Sequence, residues 1–358
     1  MAFFKDMLRN EESLFLDTVA LDYDYIPKLV PFREQQQRIM AACIKPLFQK
    51  RNGRNLFIYG QPGVGKTVAC KHVLKELEDE TDEIIPIYIN CWQKNTSYKV
   101  VLEMCDAVGY KFTQNRKTDD LFKTVKEILN KKAAVFVLDE IDKLEEIDIL
   151  YAFLEEIYNK SIFIITNYKN WLLGLDERIK SRLTAEVMEF KPYNAFETKE
   201  ILKQRLKYAF REGVWEIEAF DIIAKKAVDM GDIRSGLYLM KESGNIAEES
   251  SSRKITTEHV KKAIAKFDEF SIKKKEDLEE DVQFILEIIK SNSGKKIGDI
   301  FEKYRKEGGK AAYKTFQRKI EKLEQGKFIT AEKTKGGEEG NTTIINYVGY
   351  KTKKLTEF

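Results

Sequence analysis

An α/β fold with helices on both faces of a parallel sheet is predicted by one alternation. Between Asn55 and Thr166 the short apolar runs NLFIYG, IIPIYIN, AAVFVLDE and SIFIITN are separated by stretches of helical period. Strands apolar at nearly every position are covered on both sides, and strands that alternate with helices are joined by βαβ connections. Beyond Pro192 only helix-period patterns continue to residue 267, so a small all-helical domain follows. The last block places three helical stretches before two β-rich ones, which is the order of a winged helix. The 358 residues exceed one comfortable core, and these patterns divide them at 1–195, 196–268 and 269–358.

In chain order, residues 1–30 read as an arm of acids and aromatics, and PFREQQQRIMAACIKPLF begins a helix with Ile39, Cys43 and Leu47 on one face. The four strands and their helices come next. The all-helical part shows the sets Ile201/Leu202/Leu206, Ile222/Ile223/Ala227, Leu237/Leu239/Met240 and Val260/Ile264, with helix ends expected at Gly213, Gly231 and Gly244. The charge run SIKKKEDLEEDV reads as a solvated linker or helix start. Helices are then expected over 282–290, 297–306 and 311–325, before the strands KFITAEK and TTIINYV, joined by the turn-forming KGGEEGN.

Composition excludes several classes. The longest uncharged runs, 55–65 and 84–93, reach only half the ~20 apolar residues of a membrane helix. The opening MAFFKDMLRNEES mixes acids and bases where a signal peptide needs a basic start and an apolar stretch, so a cytoplasmic location is expected. Cys43, Cys70, Cys91 and Cys105 form no CxxC pair, and His72 and His259 are far apart, which leaves little for a zinc site or a His-based nucleophile. The cysteines read as reduced core residues. The net charge of +3 hides a division: residues 271–358 hold 20 Lys and Arg against 15 Asp and Glu, and residues 1–270 hold 42 against 44. Within 295–335 the excess sharpens to 13 against 6, which points to a polyanionic partner.

A phosphate site is legible in Gly60-Gln61-Pro62-Gly63-Val64-Gly65-Lys66-Thr67, which fits GxxxxGK[ST] between the strand NLFIY and the helical stretch from Val68 onward. Glycines allow backbone N–H groups to wrap phosphates at a helix N-terminus. Lys66 would reach the β and γ phosphates, and the Thr67 hydroxyl would ligate Mg²⁺. The strand Ala133–Leu138 ends in Asp139 and Glu140, placing Asp139 at the carboxyl edge of the sheet to hold Mg²⁺ through water and Glu140 to polarise the attacking water. The next strand ends in Thr166 and Asn167, whose amide could orient that water or sense the γ-phosphate. Arg178 and Arg182 in LDERIKSRL, and Arg234 in GDIR, offer positive charge for hydrolysis. No Asn-Lys-x-Asp guanine-reading motif occurs, so ATP is preferred over GTP.

Taken in order, these motifs resemble the AAA+ ATPases and, more narrowly, the archaeal Orc1/Cdc6 replication initiators. GQPGVGKT and VFVLDEID are similar to Walker A and B, the Asn of IITN to sensor 1, LDERIKSRL to the arginine-finger segment and GDIR to sensor 2. The narrower likeness lies in YIPKLVPFREQQ, in CWQKNTSYKVVLEMCDAVG and in YKTFQRKIEKLEQGKF, and the resemblance runs from about Tyr25 to Val348. It implies an AAA+ P-loop domain with a helical lid and a C-terminal winged-helix domain. By the same resemblance Arg234 reaches nucleotide from the lid, Arg182 acts on ATP of an adjacent subunit, and Tyr25, Ile26, Pro31 and Arg33 flank the adenine. Segment 91–109 becomes an initiator insertion that touches DNA, although the stretch after it, YKFTQNRKTDDLF, has no Pro or Gly turn.

In the third C-terminal helix Ala312, Phe316, Ile320 and Leu323 share one face, with Lys310, Lys314, Gln317 and Arg318 roughly opposite. Bases and an amide on an outward face suit phosphate and base-edge contacts, and Lys333 and Lys335 would sit on the wing. The expected function is an ATP-switched initiator using ATP/ADP and Mg²⁺. Its expected partners are double-stranded origin DNA, a replicative helicase and neighbouring initiator subunits, with nucleoid association and no membrane. A clamp-loader-like subunit and a nucleotide-gated transcription regulator are the competing readings.

Overall fold

The computed structural model describes residues 13–276, 280–309, 311–325, 328–334 and 342–348. The chain forms two compact units, Met1–Val260 and Lys261–Phe358.

In the first unit the arm turns through a short 3-10 helix, Thr18–Leu21, capped by Asp17. The helix α1 (Glu34–Ile44) gives way at Pro46 to a 3-10 turn, since proline cannot donate to a continuing α-helix. Then follow β1 (Leu56–Tyr59), α2 (Lys66–Glu80), β2 (Ile84–Asn90), α3 (Ser97–Ala107), α4 (Thr118–Leu129), β3 (Ala133–Asp139), α5 (Asp148–Glu156), β4 (Lys160–Thr166), α6 (Glu177–Leu183) and β5 (Glu186–Glu189). Among the described residues these strands form one parallel sheet in the order β2-β3-β4-β1-β5. Alternate residues serve opposite faces: Phe57, Phe136 and Ile164 pack with α3, α4 and α5, whereas Leu56, Ile58, Val135 and Val137 pack with α1 and α2. Every residue of β3 is buried, which is why the strand reads as one apolar run.

β5 is a fifth strand, before Pro192, that is not among the four apolar runs of the sequence. It pairs with β1 at the sheet edge, and its alternation of buried Met188 with exposed Val187 is too short to give a periodic signal. Its flanking Glu186 and Glu189 keep that edge hydrated. From β1 the chain crosses to the far strand, β2, and returns through β3 and β4, so the carboxyl ends of β1, β3 and β4 border one crevice.

The helical part comprises α7 (Ala195–Ala209), α8 (Ile217–Met230), α9 (Ile233–Glu249) and the start of α10 (Thr257–Glu276). Asn194 and Glu197 form a capping box on α7, and Gly231, in the left-handed region at φ 65°, closes α8. Gly213 lies in the α7–α8 turn. Gly244 does not end a helix. It lies inside α9, where a Cβ would come 2.3 Å from Phe15 Cζ and 2.9 Å from Phe210 Cε1, so its missing side chain is the seat for the arm. Phe15 packs on Phe210 at 4.7 Å between ring centroids, and Leu16 N donates to the Ala209 carbonyl at 2.8 Å. Lys241 pairs with Asp22 at 2.7 Å, and the Arg205 guanidinium lies 4.6 Å over the Tyr25 ring. The four cysteines are free and buried, and burial pushes the Cys91 thiol up to about 12.

The charge run at 271–282 is mostly helical: α10 extends to Glu276, and the second unit's α11 (Glu280–Ser291) starts four residues later. A two-residue strand, β6 (Lys295–Lys296), precedes α12 (Ile297–Lys306), α13 (Tyr313–Gln325), β7 (Ile329–Thr334) and β8 (Thr342–Tyr347). Among the described residues the strands pair antiparallel in the order β6-β8-β7, completing a winged helix. Phe316, Ile320 and Leu323 are buried as expected, but Ala312 precedes α13 and is exposed. The expected turn at 335–341 lies outside the described residues. Among the described residues no helix is long and apolar enough to cross a membrane.

Asp281 ties α11, α12 and α13 together. Tyr304 donates to it at 2.9 Å and Lys319 at 2.6 Å, while Ala311 N donates to the Tyr304 hydroxyl at 3.0 Å. Burial pushes the Asp281 carboxyl up, but the Lys319 and Tyr304 donors outweigh it and hold the group below its ordinary value. A folded-state pKa below the unfolded one means stability that is present above the unfolded value and lost as pH falls through the folded one. Asp281→Asn is therefore expected to destabilise the second unit by about 1 kcal/mol at neutral pH, a hydrogen-bonded charge discounted for solvent exposure. It should also flatten the acid limb of the stability profile, because the wild-type carboxyl takes up its proton only below the ordinary carboxylate range. Hydrogen exchange of α11–α13 in the full chain, from pH 3 to 7, measures both.

Candidate nucleotide-binding site

The loop from Gly60 to Thr67 leaves β1 at the crevice and enters α2 at Lys66. Two glycines are required there. Gly63 and Gly65 hold φ of 79° and 87°, and an added Cβ would meet Asp232 Oδ1 at 2.1 Å and the Tyr193 hydroxyl at 2.6 Å. The first N–H groups of α2 have no intrahelical partner, so they are available to phosphate oxygens.

Lys66, 7 % exposed, donates to the carbonyls of Gly60 (2.7 Å) and Gln61 (2.9 Å) and to Asn167 Oδ1 (2.8 Å). Burial brings its ammonium down to about 8, partly opposed by the Asp139 carboxylate, while the Arg234 charge adds to the lowering. Three neutral oxygens therefore satisfy a cation that phosphate oxygens would satisfy better.

Asp139, 2 % exposed at the end of β3, is the centre of a second set of bonds. Its Oδ2 accepts from Thr67 Oγ1 at 2.6 Å and from the Tyr88 hydroxyl at 2.8 Å, and its Oδ1 accepts from Glu140 N at 2.9 Å. Burial beside Asp139 pushes the Tyr88 phenol up, so it remains a neutral donor. A hydroxyl and a carboxylate this close form a hard-oxygen donor pair that fits Mg²⁺. Glu140 adopts left-handed backbone, φ 54° and ψ 44°, a conformation costly for a side chain of its size and characteristic of strained functional turns. Thr166 Oγ1 donates to Asp142 Oδ1 at 2.8 Å, linking the turn after β3 to the end of β4, where Asn167 is half-buried.

The structure thus brings Lys66, Thr67, Asp139 and Asn167 together, and the GDIR segment joins them. Asp232 caps α9 and touches Gly63, and Arg234 lies close enough for its charge to act on Lys66. Pro62 is exposed on the loop, Val64 is in the core beneath it, and Val68 packs against that core from α2.

Other predicted site residues stand differently. Arg33, expected beside adenine, is 5 % exposed and braces the loop from behind. Its Nε donates to the Val64 carbonyl at 3.0 Å and its Nη2 to that of Lys191 at 2.7 Å, and its guanidinium lies 3.9 Å from the Tyr193 ring centroid. Tyr25, Ile26 and Pro31 are half-buried, with Tyr25 held by Arg205. Arg182 pairs with Glu155 and lies over Tyr151 at 5.0 Å, and Arg178 is held by Asp176 at 3.1 Å, so both belong to the surface of α6. In segment 91–109 Cys91, Val100, Val101, Met104 and Cys105 are core, leaving Trp92, 58 % exposed, and Tyr98 as its outward aromatics. Asn115, at φ 55°, supplies the left-handed turn that neither Pro nor Gly provides after it. In the second unit Lys314 and Arg318 are exposed on α13 and Gln317 is half-buried. Lys333 pairs with Thr343 in the β7–β8 ladder, while Lys310 and Lys335 lie outside the described residues.

Tyr88, Asp232 and Tyr193 were not anticipated as site residues. For Tyr88 a signal existed: a phenol inside the apolar run IIPIYIN needs a buried partner.

Comparison with known proteins gives a consistent result. A model of the AAA domain matches residues 49–170, and one of the Cdc6 AAA+ ATPase-type lid domain matches residues 199–265. The ORC1-type DNA replication protein 1 of Sulfolobus acidocaldarius is 32% identical over 347 residues, covering 90% of this chain and 87% of that protein. Its counterpart in Sulfurisphaera tokodaii is 35% identical over 267 residues, 71% of this chain and 67% of that protein. The solved structure of the Aeropyrum pernix ORC1 protein in complex with DNA superposes with a TM-score of 0.69 at 26% identity, over 94% of each chain.

Arg33→Ala removes a planar donor set from a buried position, and a loss of about 2–4 kcal/mol is expected. Arg33→Lys should recover less than half of that, because an ammonium cannot serve two divergent carbonyls and stack on a ring. Thermal unfolding of the two variants measures it.

Proposed function

Because the chain belongs to the ORC1-type family of DNA replication proteins and is an AAA+ ATPase, we propose that it is an initiator switched by slow ATP hydrolysis, which binds duplex origin DNA and helps recruit the replicative helicase. The observation that carries this reading is the convergence of Lys66 on Asn167 and of Thr67 on Asp139 in a chain that also holds a basic winged helix. The Aeropyrum pernix relative solved with DNA supports the partner. The site of action would be the cytoplasm, at the nucleoid.

In the proposed reaction Lys66 exchanges its carbonyl partners for β- and γ-phosphate oxygens, with the α2 N-terminus and loop amides holding the rest of the triphosphate. Mg²⁺, held by Thr67 and through water by Asp139, would neutralise charge on the same phosphates. Glu140 accepts a proton from the attacking water, and Asn167, released from Lys66, orients that water against the γ-phosphate. Arg234 adds positive charge from the lid as the phosphate leaves. Arg182, exposed on α6, is suited to reach ATP on a neighbouring subunit aligned on the same DNA. Loss of the γ-phosphate removes ligands shared by Lys66, Asn167 and Arg234, which is how hydrolysis would reset the lid.

On the DNA side, Lys314 and Arg318 are exposed on α13 beside the half-buried Gln317, and these three, with Lys310, Lys333 and Lys335, are proposed to contact phosphates and base edges. The outward edge of segment 91–109 is a second contact. A clamp-loader subunit is expected to carry a helical collar, whereas the second unit here holds the antiparallel β6-β8-β7 sheet packed with α11, α12 and α13.

Lys66→Ala should weaken ATP binding about 100-fold, the loss of two charge-assisted bonds. Glu140→Gln should keep that binding and slow turnover at least ~100-fold. Equilibrium binding and single-turnover hydrolysis separate the two, and equal loss of binding would refute the division of roles. Removing Lys314 and Arg318 together should lower the slope of log K against log salt by about 2 on duplex DNA.

A further inference from the structure

Within the nucleotide site proposed above, on which this inference rests, the hydroxyl of Tyr88 performs a task that none of the motif residues performs. We propose that Tyr88 is a positioning residue: it fixes the rotation of the Asp139 carboxylate and thereby sets how much Mg²⁺ the protein needs to bind nucleotide.

The strand register places it there. Tyr88 of β2 pairs with Val137 of β3, two residues before Asp139, so its side chain shares the sheet face of Asp139. That face is the one covered by α2, and the Lys71 ammonium of α2 lies 4.6 Å over the Tyr88 ring. The ring is thus held between strand and helix with its hydroxyl 2.8 Å from Asp139 Oδ2.

The need for such a residue follows from carboxylate chemistry. The terminal torsion of an Asp side chain is broad and nearly two-fold, so backbone placement alone does not decide which oxygen faces the loop. Thr67 shares Oδ2 with Tyr88, but its hydroxyl rotates freely and must also offer a lone pair to a cation. Glu140 N engages Oδ1 from the opposite side. The phenol is the donor whose direction is set by a rigid, packed ring. With it in place Oδ2 is committed to the two hydroxyls, and the remaining lone pairs of the carboxylate keep one orientation. Without it the carboxylate can turn, and part of any cation's binding free energy is spent on realigning it.

Tyr88→Phe in the full chain removes only the hydroxyl. Binding of a fluorescent ADP analogue is measured across a Mg²⁺ titration and again in excess EDTA, together with thermal unfolding. A rise of about 3- to 10-fold in the Mg²⁺ concentration for half-maximal binding is expected, because part of the loss of one hydrogen bond to the carboxylate falls on metal binding. Affinity in EDTA should stay within about twofold, because one hydroxyl without its metal partner contributes little to nucleotide binding. An unchanged Mg²⁺ midpoint, with or without a lower melting temperature, overturns the proposal, as does an equal loss in Mg²⁺ and EDTA. Thr67→Ala is the control for the underlying site. If it abolishes the Mg²⁺ dependence while Tyr88→Phe behaves as wild type, only the role of Tyr88 falls. If wild-type binding ignores Mg²⁺, the Thr67 and Asp139 reading falls and takes this one with it.

Discussion

A carboxylate buried at the end of an all-apolar strand is the constraint around which the first unit is arranged. A carboxyl group at 2 % exposure is tolerable only because donors surround it, and those donors come from three separate elements. Thr67 ties it to α2, Tyr88 to β2, and Glu140 N to the turn that follows β3. Satisfying one buried group therefore sets the position of the phosphate loop relative to the sheet. The left-handed backbone at Glu140 belongs to the same solution, because it swings the N–H of that residue back to Oδ1.

Lys66 is the complementary case. Its ammonium is also buried, yet its partners are two carbonyls and an amide, none of them charged. A cation held by neutral oxygens is poised for exchange with an anion, whereas an acid held by three donors is poised to stay. One half of the site is rigid and the other is replaceable, which is a suitable division for an ATPase that must both coordinate and release. Asp232 against Gly63 and the Arg234 charge near Lys66 put the helical part in touch with the replaceable half.

Much of this was legible in the residue order, for physical reasons that also explain the gaps. Strands buried on both faces announce themselves as apolar runs, and the loop glycines and Lys66 follow a spacing that backbone geometry enforces. β5 and β6 escaped because four and two residues carry no period. Gly244 misled because a glycine needed for close packing and one needed for a helix end look alike; only the positions of Phe15 and Phe210 distinguish them. The resemblance sets Arg33 beside the adenine, but its bonds run to the back of the phosphate loop, and the direction of a side chain is a tertiary property. Asp281 gave no motif at all, since its partners, Tyr304 and Lys319, are 23 and 38 residues away.

The arm preceding α1 belongs to two parts of the first unit. Phe15, Leu16, Asp22 and Tyr25 are fastened to α7 and α9, and within a dozen residues the Lys28 carbonyl accepts from His72 Nε2 of α2, while Arg33 grips the phosphate loop. A chain shortened to begin at the first helix would thus lose more than a tail. It would uncover the notch at Gly244, strip the outer side from Phe210, and sever one of the connections between the helical part and the loop from Gly60 to Thr67, leaving the one from β5 to α7. For anyone choosing boundaries for expression or crystallisation, the usable start of this protein lies at or before Ser13, whose hydroxyl donates to Glu248 of α9 at 2.7 Å.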